Sequence, residues 1–432
     1  MGRHQRTTGR SSRVDADVAC ARLLVPIIIG LALAGCVSPR LLAPPPNLFS
    51  VHNPYPEAAI PQPLRQPQSN IIFATDRVWD SDTGTFVAER SPQLSIGQMT
   101  VDIGKGMNWE DLMDVSSGLG GPAGDGPDLA LTSIRTDIVF PATPVPYQLV
   151  DGRVVEDANI ADAYSASILA FQDMVKQRLM EARTDTVLIY IHGFNNSFED
   201  AAFGMTDIWH YSGRGSVPIV FSWPTVDGNL FGYFSARESG EFSIFHLKEV
   251  LRALQEISEL RTINIVAHSR GVDVSTTAIR ELIIEARGAG VPLRNALKIQ
   301  NMILAAADID VAVAGQRLGA ERFALAVGQV TIYANPDDAA LRLSSLISSG
   351  LRVGRSNSQA YENSFGETFL GIDNIAFVDV SGVPGDLGHD YFRLNPSVIA
   401  DIAIILQTNA GPRDPARGLK PVGGNFYELS KR

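Results

Sequence analysis

The sequence predicts an α/β protein built on a mostly parallel, doubly wound sheet with helices on both faces. Two observations predict it. From about residue 158 onward, helical stretches alternate with short apolar runs, the order that a parallel sheet with crossover helices requires. Six of these runs end in loops carrying polar residues, which fits a site at the carboxyl ends of the strands.

The chain begins with a targeting segment over residues 1–35. Arg3, Arg6, Arg10, Arg13 and Arg22 precede an apolar run at 23–34, too short for a comfortable membrane span and suited to a signal-peptide core. It ends in Leu33-Ala34-Gly35-Cys36, which resembles a bacterial lipoprotein lipobox. That resemblance implies cleavage before Cys36, lipidation of Cys36 and a lipid-anchored protein of the cell envelope. Val37, rather than an aspartate, follows the cysteine and implies the outer membrane, facing the periplasm. Residues 36–69 are rich in proline and predict a semi-extended tether.

The globular domain is expected over 70–410. Strands are predicted at 70–74 and 98–103. A helix follows at 158–183, and then a buried strand, Thr186–Ile191 (T-V-L-I-Y-I). Ser197 with Asp200 marks the start of the next helix. Further strands are expected at 218–222, 263–266, 301–306, 329–333 and 375–380. An amphipathic helix is expected at 242–259, with Phe245, Val250, Leu251, Leu254 and Ile257 at helical spacing. Asn395 caps a last helix with Pro396 at its first position. Residues 411–432 read as a C-terminal tail.

Composition narrows the function. The chain has 432 residues, 45% hydrophobic and 19% charged, enough for a sizeable core. A net charge of −11 without a basic stripe makes nucleic acid a poor partner. The cysteines are Cys20 and Cys36 alone, so the body of the protein holds no disulfide framework or cysteine zinc site. There is no HExxH, and seven scattered histidines disfavour a metal-dependent hydrolase. No cofactor is expected.

The chemistry centres on I-V-A-H-S-R-G at 265–271, a strand, a sharp turn and a helix with Ser269 at the tip. It approximates the G-x-S-x-G nucleophile elbow, with Ala267 in place of the first glycine and Gly271 retained. A serine is a weak nucleophile at neutral pH. It needs an imidazole to take its proton and a carboxylate to orient that imidazole. In the α/β-hydrolase fold the chain order is Ser, Asp or Glu, then His. His389 is the only histidine after Ser269, and it follows the last strand of the domain. The acid candidates are Asp338, favoured by the residues that follow it, and Asp337, Asp308 and Asp310 as alternatives. Aspartates after strands also serve as helix caps. The backbone N–H groups of Arg270 and Phe194 are the candidate oxyanion donors, and Asp273 the candidate partner for the Arg270 side chain. Gly193 lets the backbone approach the site, and His192 reads as structural. Trp223, Phe231, Tyr233 and Phe234 could line an acyl-binding cleft or pack as core.

Taken together, I-F-A-T-D-R (72–77), I-H-G-F-N-N-S-F (191–198), F-S-W-P (221–224), A-H-S-R-G (267–271), L-A-A-A-D-I-D (304–310), Y-A-N-P-D-D-A-A-L (333–341) and G-H-D-Y-F (388–392) resemble the DUF900 family. These are bacterial α/β-hydrolases once grouped as a domain of unknown function. The resemblance implies the α/β-hydrolase fold with Ser269, Asp338 and His389 as a triad, and it implies no substrate. The reading that follows is a serine hydrolase acting on a carboxylic ester, a small molecule or a lipid, through an acyl-enzyme on Ser269. Two alternatives are a catalytically silent envelope binding protein on the same fold, and an acyltransferase using the same triad.

Overall fold

The computed structural model describes residues 40–49, 55–118, 126–225, 230–359, 372–385 and 387–430. Three antiparallel strands come first, β1 (Gln68–Asp80), β2 (Thr85–Ile103) and β3 (Leu129–Val139), with helix α1 (Trp109–Ser116) between the last two. A hairpin of β4 (Tyr147–Val150) and β5 (Arg153–Glu156) is paired only with itself. The alternating part follows as α2 (Ala158–Ala182), β6 (Thr186–Ile191), α3 (Phe198–Tyr211), β7 (Val217–Ser222) and α4 (Leu230–Gln255). It continues as β8 (Thr262–His268), α5 (Gly271–Gly288), α6 (Leu293–Leu297), β9 (Ile299–Ala305), α7 (Val311–Ala314), β10 (Gln329–Ala334), α8 (Ala339–Ser348) and β11 (Ile375–Asp379). The chain closes with α9 (Tyr391–Leu394), α10 (Pro396–Thr408), β12 (Leu419–Gly423) and β13 (Phe426–Leu429).

Eleven strands form one sheet in the order β12-β13-β11-β10-β9-β8-β6-β7-β1-β2-β3. Every pairing from β1 through β7, β6, β8, β9, β10 and β11 to β13 is parallel, and only the two ends turn antiparallel. This is the mostly parallel, doubly wound sheet of an α/β-hydrolase fold. The strand order reverses at β6. From β6 the chain steps one way to β7 and then back past β6 to β8. Right-handed crossovers therefore send α3 and α4 to opposite faces. Helix α4 packs beside α5, and α3 beside α10. Covered on both faces, the central strands carry unbroken apolar runs: β7 and β10 are buried throughout.

Three expectations change. The proline-rich segment does not stand off as a tether where it is described. Leu42, Tyr55, Ile60 and Leu64 are buried, Arg40 pairs with Asp207 at 3.0 Å, and Arg214 donates to the carbonyls of Leu64, Gln66 and Gln68. Prolines keep the segment extended and lacking donors, so its free carbonyls are taken up by side chains of the domain. The C-terminal residues are not a tail, because β12 and β13 extend the sheet beyond β11. β12 is almost wholly exposed and β13 is four residues long, so neither carries a strand periodicity that the sequence could show. Helix α4 starts twelve residues earlier than expected, and Phe245 faces out, 41% exposed, with Lys248 over its ring. No helix among the described residues is long and apolar enough to cross a membrane.

Candidate active site

Ser269 sits between β8 and α5 with φ of +52°, a left-handed conformation that costs a non-glycine residue about 1–2 kcal/mol. The surroundings impose it. The Ser269 N–H donates to the Ala305 carbonyl at 2.9 Å, and its own carbonyl accepts from the Asp308 N–H at 3.2 Å. Strand β9 and its loop thus grip the turn and hold the hydroxyl at the carboxyl edge of the sheet. Gly271 is required by close approach. A Cβ there would lie 2.3 Å from the His192 carbonyl oxygen and 2.7 Å from that of Ile191. Gly193 meets the turn from the other side, where a Cβ would lie 2.8 Å from the Ser269 Cβ.

His389 reaches Ser269 from the loop after β11. Its Nε2 is 2.8 Å from the Ser269 Oγ, and its Nδ1 is 2.8 Å from Asp338 Oδ2. Asp338 is fully buried at the start of α8, whereas the His389 ring is about a quarter exposed. Burial resists protonation of His389. The hydrogen bond and charge of Asp338, with Asp390 and Asp308 behind it, outweigh that and raise its pKa above 6.5. Burial would likewise raise Asp338, but the hydrogen bond and charge of His389 hold it below 3.8.

The other three acid candidates are engaged elsewhere. Asp308 accepts from Tyr233 Oη at 2.9 Å and Ser344 Oγ at 2.6 Å, and faces Arg352 at 3.4 Å. Asp310 caps α7 through the N–H groups of Ala312 and Val313. Asp337 adjoins the acid in sequence, yet Asp338 is the one facing His389.

Arg270 follows the serine in the chain, and Phe194 lines the same cleft. Among the described residues, neither backbone N–H has an acceptor. The Arg270 side chain turns away and pairs with Asp273 at 3.2 Å, which Arg317 also holds at 3.0 Å. His192 is structural: its ring is buried and stacked on Trp223, whose indole N–H donates to the His192 carbonyl. Burial, with the charge of Arg77 beside it, pushes His192 well below the usual imidazole range. Trp223 is therefore core, Tyr233 lines the cleft, Phe234 is half exposed, and the Phe231 side chain lies outside the described residues.

Two supporting residues carry no signal of their role in the sequence. His268 bonds the His389 carbonyl through Nε2 at 3.2 Å and stacks on Phe392. Burial and the neighbouring His389 push its pKa down to about 3, so it is a neutral donor there. Arg77, from β1, donates to the Asn196 carbonyl at 2.8 Å and ties down the loop that carries Phe194. Only adjacency to the serine, for His268, and the T-D-R triplet, for Arg77, could have hinted at these roles.

The site opens into a cleft of about 710 Å³, lined in part by Phe194, Asn195, Tyr233, Leu341, Leu343 and Leu394. Among the described residues no group of three His, Cys, Asp or Glu could hold a metal ion. A serine hydroxyl, an imidazole and a carboxylate in hydrogen-bonded line, beside two N–H groups without an acceptor among the described residues, form an arrangement that can carry out acyl transfer.

The family comparison covers residues 167–408, which match the model of an "alpha/beta hydrolase of unknown function (DUF900)". The I-F-A-T-D-R stretch at 72–77 lies outside the match. No curated protein matches the sequence. Among solved structures, an esterase from Pyrobaculum calidifontis, in its monoclinic form, is similar at 10% identity and a TM-score of 0.29, covering 52% of this chain and 77% of that one. The matched region spans 242 of the 432 residues and contains the elbow, the acid loop and the histidine loop, so the chain belongs to the DUF900 family of α/β-hydrolases.

Proposed function

We propose that the protein is a serine hydrolase that cleaves carboxylic esters through an acyl-enzyme on Ser269. The observation that carries this reading is the unbroken line from Ser269 Oγ through the His389 ring to Asp338, each step 2.8 Å. Neutral His389 accepts the hydroxyl proton at Nε2 as Oγ attacks the ester carbonyl. Asp338 keeps the other proton on Nδ1 and stabilises the imidazolium that forms. The developing oxyanion takes the Arg270 and Phe194 N–H groups, a donor of this kind being worth about 3 kcal/mol. The imidazolium then gives its proton to the leaving alcohol, and water repeats the sequence to free Ser269.

A fluorophosphonate probe should label the wild type and not Ser269→Ala. The same substitution should cost about 10⁶ in kcat on simple esters. A folded wild type that takes no label and hydrolyses no ester overturns the proposal.

We also infer that Cys36 is lipidated and anchors the domain to the outer membrane, facing the periplasm. The lipobox Leu33-Ala34-Gly35-Cys36 supports this. Labelled palmitate should enter the wild type and not Cys36→Ser; equal incorporation in both would sink the assignment.

A further inference from the structure

We propose that the cleft at Ser269 is an acyl groove for the alkyl chain of a neutral ester, with α8 as its apolar wall. This rests on the serine-hydrolase reading and adds the substrate class. Helix α8 is fixed to the triad at its first residue, because its N-cap is Asp338 itself. Ala340, Leu343, Ser344 and Ile347 all line the cleft. Their spacing of three, four and seven residues puts them on one face of the helix. At 1.5 Å per residue this stripe runs for about 10 Å. Leu343 is 58% exposed, so a large apolar side chain in the cleft has no partner in the fold. Phe194 and Leu394 add further apolar surface. A cleft of about 710 Å³ falls within the usual range for a small-molecule site.

Charge decides what the chain can carry. Asp308 and Asp390 line the cleft, and no lysine or arginine does so among the described residues. Two nearby guanidinium groups are already committed, Arg270 to Asp273 and Arg352 to Asp308. An acyl chain ending in a carboxylate or phosphate would lose water without gaining a cation, which is strongly unfavourable. A plain alkyl chain loses nothing and gains the α8 wall.

The test is a series of p-nitrophenyl esters, acetate to octanoate, with the anionic p-nitrophenyl hemisuccinate as the charged comparison. We expect kcat/KM to rise roughly three- to fourfold per methylene until the wall is covered. Hemisuccinate should fall about tenfold or more below butyrate. Leu343→Asp and Ile347→Asp should flatten the chain-length slope. Position 343 is solvated, so the first variant should fold as the wild type does, which circular dichroism checks. A flat profile, or hemisuccinate as good as butyrate, on an enzyme whose Ser269 takes the fluorophosphonate label overturns the groove and leaves the hydrolase reading standing. No label and no hydrolysis of any ester removes the hydrolase reading, and the groove with it.

Discussion

Asp338 holds His389 with one carboxylate oxygen and caps its own helix with the other. Oδ2 lies 2.8 Å from His389 Nδ1, while Oδ1 accepts the Leu341 N–H at 2.9 Å. The two uses of an aspartate after a strand, acid and helix cap, read as alternatives in sequence, yet here they are one residue. The cap fixes the carboxylate, and the carboxylate then fixes the imidazole. The expected outcome follows from the split. Asp338→Asn keeps a good cap and should cost little stability, but should lose on the order of 10⁴ in kcat. Asp338→Ala should lose the same activity and about 1 kcal/mol of stability as well. Asparagine at 337, 308 or 310 should cost far less activity. Ester hydrolysis and thermal melts on the five variants check this.

The pH dependence has a definite sign. In the proposed mechanism His389 acts as base only when neutral, so the rate should rise as pH climbs through its folded-state pKa. Asp338, followed by Asp390 and Asp308, raises that pKa above 6.5 against the opposing effect of burial. The acid limb of kcat/KM should therefore lie above pH 6.5. In Asp338→Asn the main raising influence is gone, and burial is opposed only by Asp390 and Asp308, so the residual activity should show its limb moved to lower pH. A profile of kcat/KM from pH 4 to 9 on both proteins reads this directly.

The elbow was legible in the sequence, and Gly271, the glycine it retains, is where the turn is tight: a Cβ there would strike backbone oxygens of Ile191 and His192 at the end of β6. The motif does not name the partner of that contact; the pairing of β6 with β8 brings it there. Backbone cannot rotate aside as a side chain can. Gly271→Ala should therefore destabilise by about 3 kcal/mol and abolish labelling of Ser269. Ala267→Gly should cost only about 1 kcal/mol and keep the label.

Arg77 shows the same limit. The order of Ser269, Asp338 and His389 could be read along the chain, whereas a side chain from β1 that braces the Phe194 loop could not. It is 98% shielded from solvent and bonds the Asn196 carbonyl and Ser222 Oγ at 2.8 and 3.0 Å. Arg77→Met fills the space but takes a donor from each acceptor, leaving the Asn196 carbonyl with Thr225 Oγ1 alone at 2.7 Å. We expect about 1–3 kcal/mol of destabilisation. Loosening the oxyanion loop should lower kcat roughly 10- to 100-fold with little change in KM. An equal loss in KM alone would place its role in substrate binding instead.

The C-terminal residues bear on the site through one buried network. Arg417, just before β12, is fully buried and bonds both oxygens of Asp401 in α10, at 3.0 and 2.8 Å. Tyr333 donates to the same carboxylate at 2.6 Å. Tyr333 lies in β10, the strand that leads to Asp338, so the chain end helps seat the strand behind the acid. Nothing in the spacing of Asp401, Arg417 and Tyr333 along the sequence marks them as neighbours; only the sheet topology brings them together. Removing one partner of a buried ion pair leaves the other charge stranded, and Arg417→Met should cost about 3–5 kcal/mol. Replacing the pair together, as Arg417→Met with Asp401→Leu, should recover much of that loss, since apolar groups need no partner. Tyr333 then keeps an unmet hydroxyl, so recovery should stop about 1 kcal/mol or more short of wild type. Deleting residues 411–432 should be worse than the single substitution, because it also uncovers the β11 edge and opens it to pairing with other chains. Melting temperature and light scattering separate the two effects: the substitution lowers the first alone, and the deletion lowers the first and raises the second.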